Sequence, residues 1–200
     1  KASLELVKDV SLETLLERIA TVACEQSDAR YAALGVLDDE GRLVKFITVG
    51  MSDKELKRMA HPPKGLGLIG AMMHTNENVR VPILGDHPKS IGFPAHHPVM
   101  TSFLGVPIRA GDKQFGQIYL TNKINAEEFT SDDEMIIQML ATYAATAIQN
   151  ARMVEQMKEL GLFGATIGVE YGGLGLKAGT YAMIVEKIAT TWMSLSGIFN

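Results

Sequence analysis

Two side chains stand out as candidates for chemistry: His97, followed at once by Pro98, and Tyr119, inside an apolar, β-prone run. A proline confines the residue before it to extended backbone, so the His97 imidazole is presented with little freedom beside the run Thr101 to Arg109. A neutral imidazole held in one orientation is a good ligand for a transition-metal ion. The Tyr119 phenol offers one proton to donate and lone pairs to accept. Period-two alternation puts Tyr119 on the same strand face as Phe115, its hydroxyl projecting from an apolar wall. Each residue also has an ordinary reading. A loop histidine serves as a surface or hydrogen-bonded residue, His96 is an equally placed neighbour of His97, and a strand tyrosine is by default a packed aromatic.

Other chemistries lack their parts. His61, His74 and His87 fall in separate segments without the short paired spacing of a metal site, and read as cap and turn residues. The run Gly65-Leu66-Gly67-Leu68-Ile69-Gly70 superficially matches a dinucleotide fingerprint, but it follows a proline pair where that motif needs a strand. A tight backbone at a helix start is the expected role. There is no Gly-x-Ser-x-Gly elbow and no phosphate-loop lysine, and Cys24, the single cysteine, reads as a small core residue. The expectation is a domain that is not an enzyme.

The elements that must position these residues follow from periodicity. Ser11 to Gln26 is predicted to be an amphipathic helix and Ser131 to Met157 a long one, capped by Ser131 with acids in its first turn. Arg30 to Leu37 and Arg42 to Val49 form a hairpin around Asp38-Asp39-Glu40-Gly41; Thr101 to Arg109 and Gln114 to Asn122 form another around Ala110-Gly111-Asp112-Lys113. Ser52 to Ala60 reads as a short helix and Val79 to Pro82 as an edge strand. Between Gly85 and Met100 lies a stretch rich in Pro, Gly and His, and long ordered loops of this kind tend to carry function. Helix, hairpin, irregular middle, hairpin, helix is an α+β order, an antiparallel sheet with helices on one face and a guest-sized loop region on the other.

Five stretches carry a resemblance to a known family: His61 to Gly70, His87 to Pro94, His97-Pro98-Val99-Met100, Ser102-Phe103-Leu104-Gly105-Val106-Pro107 and Tyr119-Leu120-Thr121-Asn122-Lys123. About residues 11–155 resemble GAF domains, closest to the heme-binding GAF domains of DevS/DosT-type oxygen- and redox-sensing histidine kinases. The resemblance implies heme as cofactor, His97 as the proximal iron ligand, Tyr119 as the distal-pocket tyrosine, and a diatomic gas or redox state as the signal. Phe93, Met100, Phe103 and Leu104 are expected to wall the pocket, and Gly105 and Gly116 to leave room for a planar macrocycle or another backbone. Alternatives are a GAF module that takes a non-heme small molecule or simply dimerises.

The texture changes after Met157. Glu170-Tyr171-Gly172-Gly173 and a helical run Thr180 to Trp192 resemble the N-terminal helical part of acyl-CoA dehydrogenases, with Gly168 where that family usually has proline. The division expected is 1–156 as sensory domain and 157–200 as a helical extension. The extension stops before the flavin contacts of that family, so flavin is not expected, and the enzyme alternative is a fragment of a sensor-fused acyl-CoA dehydrogenase. A first residue other than Met and an abrupt end at Asn200 read as a piece of a longer protein.

Composition bounds the partners. The chain is 46% hydrophobic and 21% charged with net charge −4, which argues against nucleic acid as a partner. No apolar stretch reaches the roughly 20 residues of a membrane span. A lone cysteine fits a reducing, cytoplasmic setting. Amphipathic helices at both ends, Leu12, Leu15 and Ile19 with Ile136, Leu140, Ala144 and Ala147, suit intrachain packing or a homodimer.

Overall fold

The computed structural model describes residues 11–58, 67–73, 75–90 and 97–196. The chain divides into two compact units, Lys1–Gln149 and Asn150–Asn200. The first holds α1 (Leu12–Gln26), β1 (Ala29–Leu37), β2 (Leu43–Val49), α2 (Asp53–Arg58), α3 (Gly67–Met72), β3 (Val79–Val81), β4 (Phe103–Ala110), β5 (Lys113–Lys123) and the start of α4 (Ser131–Glu159). These form an α+β fold around one antiparallel sheet of order β2-β1-β5-β4-β3. Among the described residues, no helix is long and apolar enough to cross a membrane.

Local chemistry explains the boundaries. The Ser11 hydroxyl accepts the Thr14 amide and starts α1, and Ser52 and Glu55 bond reciprocally at the start of α2. In the β1–β2 turn, the Asp38 carboxylate accepts the Glu40 and Arg42 amides and the Arg42 guanidinium, while Gly41 takes a positive φ. The start of α4 corrects the expected cap by one residue. Thr130, and not Ser131, is the cap: its hydroxyl accepts the Asp133 amide, and the Asp133 carboxylate accepts the Thr130 amide.

Alternation in the three central strands sorts side chains between two cores. Ala32, Leu34 and Val36 of β1, Leu104, Val106 and Ile108 of β4, and Ile118 and Leu120 of β5 meet Leu16, Ile19, Ala23, Ile137, Ala144 and Ile148 of α1 and α4. Tyr31, Phe103 and Tyr119 face the other way, with Leu68 and Met72 of α3, Leu84 and Met100. Phe115 breaks the simple count. Ile108 pairs with Gly116 but Arg109 with Gln114, so Phe115 is an extra residue in β5. This bulge puts Phe115 in the helix-side core, opposite Tyr119, and overturns the shared face expected from spacing.

The second unit contains the end of α4, two short 3-10 turns, Leu162–Gly164 and Val169–Tyr171, and α5 (Ala178–Ser196). Gly168 adopts φ −58°, a value proline would impose, and its carbonyl accepts the Tyr171 and Gly173 amides. The turn closes without the proline.

The helix-side core is tied together at one buried point. The Lys123 ammonium donates to both Asp133 carboxylate oxygens at 2.9 Å and to the Ser27 carbonyl at 2.9 Å, joining β5 to the start of α4 and the end of α1. Both side chains of the pair are at most 10% exposed. Burial pushes the Asp133 carboxyl up, but bonds from Lys123 and from the Thr130 amide and hydroxyl outweigh it, and the net shift is downward. Asp133→Asn leaves the ammonium without its counter-charge and is expected to lower the unfolding free energy by about 3–5 kcal/mol in urea denaturation. Because the folded carboxyl titrates low, its contribution is present above about pH 4 and is lost as pH falls through the folded-state value. The variant should accordingly lose less of its remaining stability on acidification than the parent.

Candidate functional site

The face of the sheet away from α1 and α4 is where the candidate residues gather. Gly105 of β4 lies directly opposite Tyr119 of β5, and the Phe103 and Phe46 rings flank the tyrosine at 6.1 and 6.3 Å between centroids. Leu68, Leu84 and Met100 complete an apolar surround. The structure therefore brings Met100, Phe103 and Tyr119 together. Leu104, adjacent to Phe103, points to the opposite face and belongs to the helix-side core, not to a pocket wall. Phe93 and His96 lie outside the described residues, as do His61 and His74.

His97 is half-buried at the start of the segment leading into β4. Its Nδ1 lies 2.8 Å from the Pro98 carbonyl oxygen. A carbonyl can only accept, so Nδ1 carries the proton in this contact. The segment is stitched to β5 by Asn122, whose side chain accepts the Thr101 amide and donates to the Val99 carbonyl, each at 2.9 Å. Asn122 takes a left-handed φ of 60°, which asparagine tolerates better than most residues. Its neighbour Lys123 is the ammonium that grips α1 and α4. Two consecutive residues thus connect the His97 segment to both helices.

Sequence reading missed two glutamines on this face. The Tyr119 hydroxyl donates to the Gln117 Oε1 at 2.6 Å, and the Gln117 carboxamide donates to the Met72 carbonyl at 3.3 Å. Gln114 donates to the same carbonyl at 3.1 Å. Gln117 has no exposed surface, and the available signal was a polar residue placed in an otherwise buried strand. Gly116 and Gly105 differ in what they admit: a Cβ on Gly116 would strike the Gly35 carbonyl of β1, and one on Gly105 would strike the Met72 sulfur.

The remaining candidates are placed plainly. His87 Nδ1 accepts the Lys89 amide, and the ring borders an open cleft of about 190 Å³ with Val81, Pro82, Ile83, Asp86 and Pro88. The Cys24 thiol donates to the Ala29 carbonyl, and burial, followed by the neighbouring Glu25 carboxylate, pushes it up, the wrong direction for a nucleophile. Among the described residues, no group of three or more His, Cys, Asp or Glu side chains could hold a metal.

Burial also raises the Tyr119 phenol far above its ordinary value. Tyrosinate absorbance is expected to show that Tyr119 ionises only when the domain unfolds in base. Tyr119→Phe leaves the Gln117 carboxamide without its donor and is expected to cost about 1–3 kcal/mol in denaturant melts.

Comparison with known proteins agrees with this geometry. Residues 9–149 match the model of the GAF domain, and residues 125–200 match that of the acyl-CoA dehydrogenase N-terminal domain. The dual 3',5'-cyclic-AMP and -GMP phosphodiesterase 11A of Takifugu rubripes is 30% identical over 169 residues, covering 75% of this chain. The chain spans only 18% of the length of that enzyme. Among solved structures, the GAF domain of a phosphoenolpyruvate-protein phosphotransferase from Coxiella burnetii aligns with TM-score 0.63 at 24% identity, over 76% of this chain and 91% of that one. The second GAF domain of DevS from Mycobacterium smegmatis aligns with TM-score 0.53 at 22% identity, over 74% and 99%. Free methionine-R-sulfoxide reductase from Neisseria meningitidis shares the fold at TM-score 0.57 and 18% identity, over 74% and 83%. With the family model spanning most of the chain, and a five-stranded antiparallel sheet carrying α1 and α4 on one face, this protein belongs to the GAF domain family.

Proposed function

We propose that this GAF domain is a cytoplasmic, non-catalytic sensor whose guest is heme, held through His97 on the apolar face of the sheet. The observation that carries the reading is the bond from His97 Nδ1 to the Pro98 carbonyl at 2.8 Å, the kind of bond that orients metal-ligating histidines, in a half-buried residue just ahead of Met100 on the apolar face. Met100, Phe103, Leu84 and Tyr31 offer the apolar walls a porphyrin requires. Bound heme would supply an iron with a position for a diatomic gas or a change of oxidation state. The chain's own residues do the rest: His97 orients, the apolar surround excludes water, and Tyr119 provides one hydroxyl proton on this face. Asn122 and Lys123 are suited to pass a shift of the His97 segment to α1 and α4.

A second reading, a smaller non-heme guest or a pure dimerisation module, has its own support. The space over Gly105 is filled by Met72, and the Tyr119 proton is engaged by Gln117. Met135, Met139 and Tyr143, four residues apart and exposed on α4, suit pairing with a second copy of the chain. For the C-terminal unit, the acyl-CoA dehydrogenase likeness supports the reading of a fragment from a sensor-fused enzyme, with no flavin held by this stretch.

Hemin titration separates these readings. The heme reading expects a Soret band that saturates at one equivalent, and His97→Ala binding at least tenfold more weakly, about 1.4 kcal/mol or more. A band unchanged in His97→Ala removes that residue from the role. No band, together with a concentration-dependent dimer in sedimentation, leaves the scaffold reading.

A further inference from the structure

Gly105 and Tyr119 are cross-strand partners in the middle of the sheet, so the missing side chain at Gly105 leaves a gap beside the tyrosine ring. The gap is not empty. The Met72 sulfur and methyl lie over Gly105 so closely that a Cβ there would overlap both, and the Phe103 ring closes the side. Met72 is fully buried although it is the last residue of a six-residue helix. Its carbonyl is held by two carboxamides, Gln114 at 3.1 Å and Gln117 at 3.3 Å, which fixes the backbone from which the side chain hangs. An unbranched thioether with three rotatable bonds can leave such a position without any backbone movement.

We propose that the Met72 side chain is a plug that occupies the guest space over Gly105, anchored at its base by Gln114 and Gln117, and that a guest enters by displacing it. The proposal rests on the reading of this face as a guest site, and names the chain's own side chain as the competitor. The space so released is lined by Phe103, Leu68 and the Tyr119 ring, with one hydroxyl at its edge. Its chemistry selects a small apolar or aromatic group carrying at most one hydrogen-bond acceptor. The Tyr119 hydroxyl has a single proton, so a guest that accepts it takes it from Gln117 and loosens one of the two bonds that anchor the plug.

The test uses benzene as probe and thermal melting as readout, independent of heme. Met72→Ala opens an apolar gap and is expected to bind benzene about tenfold more tightly than the parent, seen as a benzene-dependent rise in Tm. Met72→Ala/Gly105→Val returns the lost volume from the opposite side and is expected to bring affinity back to that of the parent. Should Met72→Ala not melt cooperatively, Met72→Val, a smaller truncation, is compared with Met72→Val/Gly105→Ala in the same way. Equal benzene affinity in all proteins, or a gain that the Gly105 substitution does not reverse, overturns the plug. Failure of the heme reading shows separately, as a missing Soret band in the parent, whatever benzene does.

Discussion

The fold depends most on the position of one buried ammonium. Lys123 stands where the end of β5, the end of α1 and the start of α4 converge, and it carries hydrogen bonds to the Ser27 carbonyl and to both oxygens of Asp133. Charges this far from water are tolerable only when each donor and acceptor is answered. Here Thr130 answers the rest of the carboxylate and thereby caps α4, and the Phe129 ring lies against the ammonium at 5.8 Å. Next door, Glu134 takes bonds from Asn78 and Arg80, so the first turn of α4 is anchored to the far side of the sheet as well. This corner ties the helix ends to the sheet beside the apolar core built on Leu16, Ile137 and Ile148.

The same corner links the two faces of the sheet. A sheet is a thin, stiff layer, and its two cores share backbone but no side chains. Asn122 turns the backbone left-handed at the end of β5, holds the Val99 to Thr101 backbone with its side chain, and hands the chain directly to Lys123. Hydrogen bonds and one peptide link thus join the Val99 to Thr101 backbone to the ends of α1 and α4.

Much of this architecture could be read from residue order. Both hairpins announce themselves through Asp and Gly between β-prone runs, and α1 through its period and Ser11. What could not be read has specific causes. Thr130 and Ser131 are adjacent hydroxyls, and only the reciprocal bond with Asp133 distinguishes the cap. The face of Phe115 escapes a period count, to which a bulge is invisible. Leu104 alternates with Phe103 and so cannot share its face. The Gln117 and Gln114 bonds to Met72 join residues more than forty positions apart, and no local pattern announces such a meeting.

The bulge at Phe115 has a consequence for how this domain tolerates change in length. Phe115 is the extra residue between Gln114, which pairs with Arg109, and Gly116, which pairs with Ile108. Deleting it would join Gln114 to Gly116 in a regular ladder, leaving Gln117, Tyr119 and Thr121 on one face and Ile118 and Leu120 on the other, with only the Phe115 ring lost from the helix-side core. A one-residue deletion between Gly116 and Lys123 has no such extra residue to absorb it and would reverse the faces of part of β5, so a change in length is borne best at Phe115.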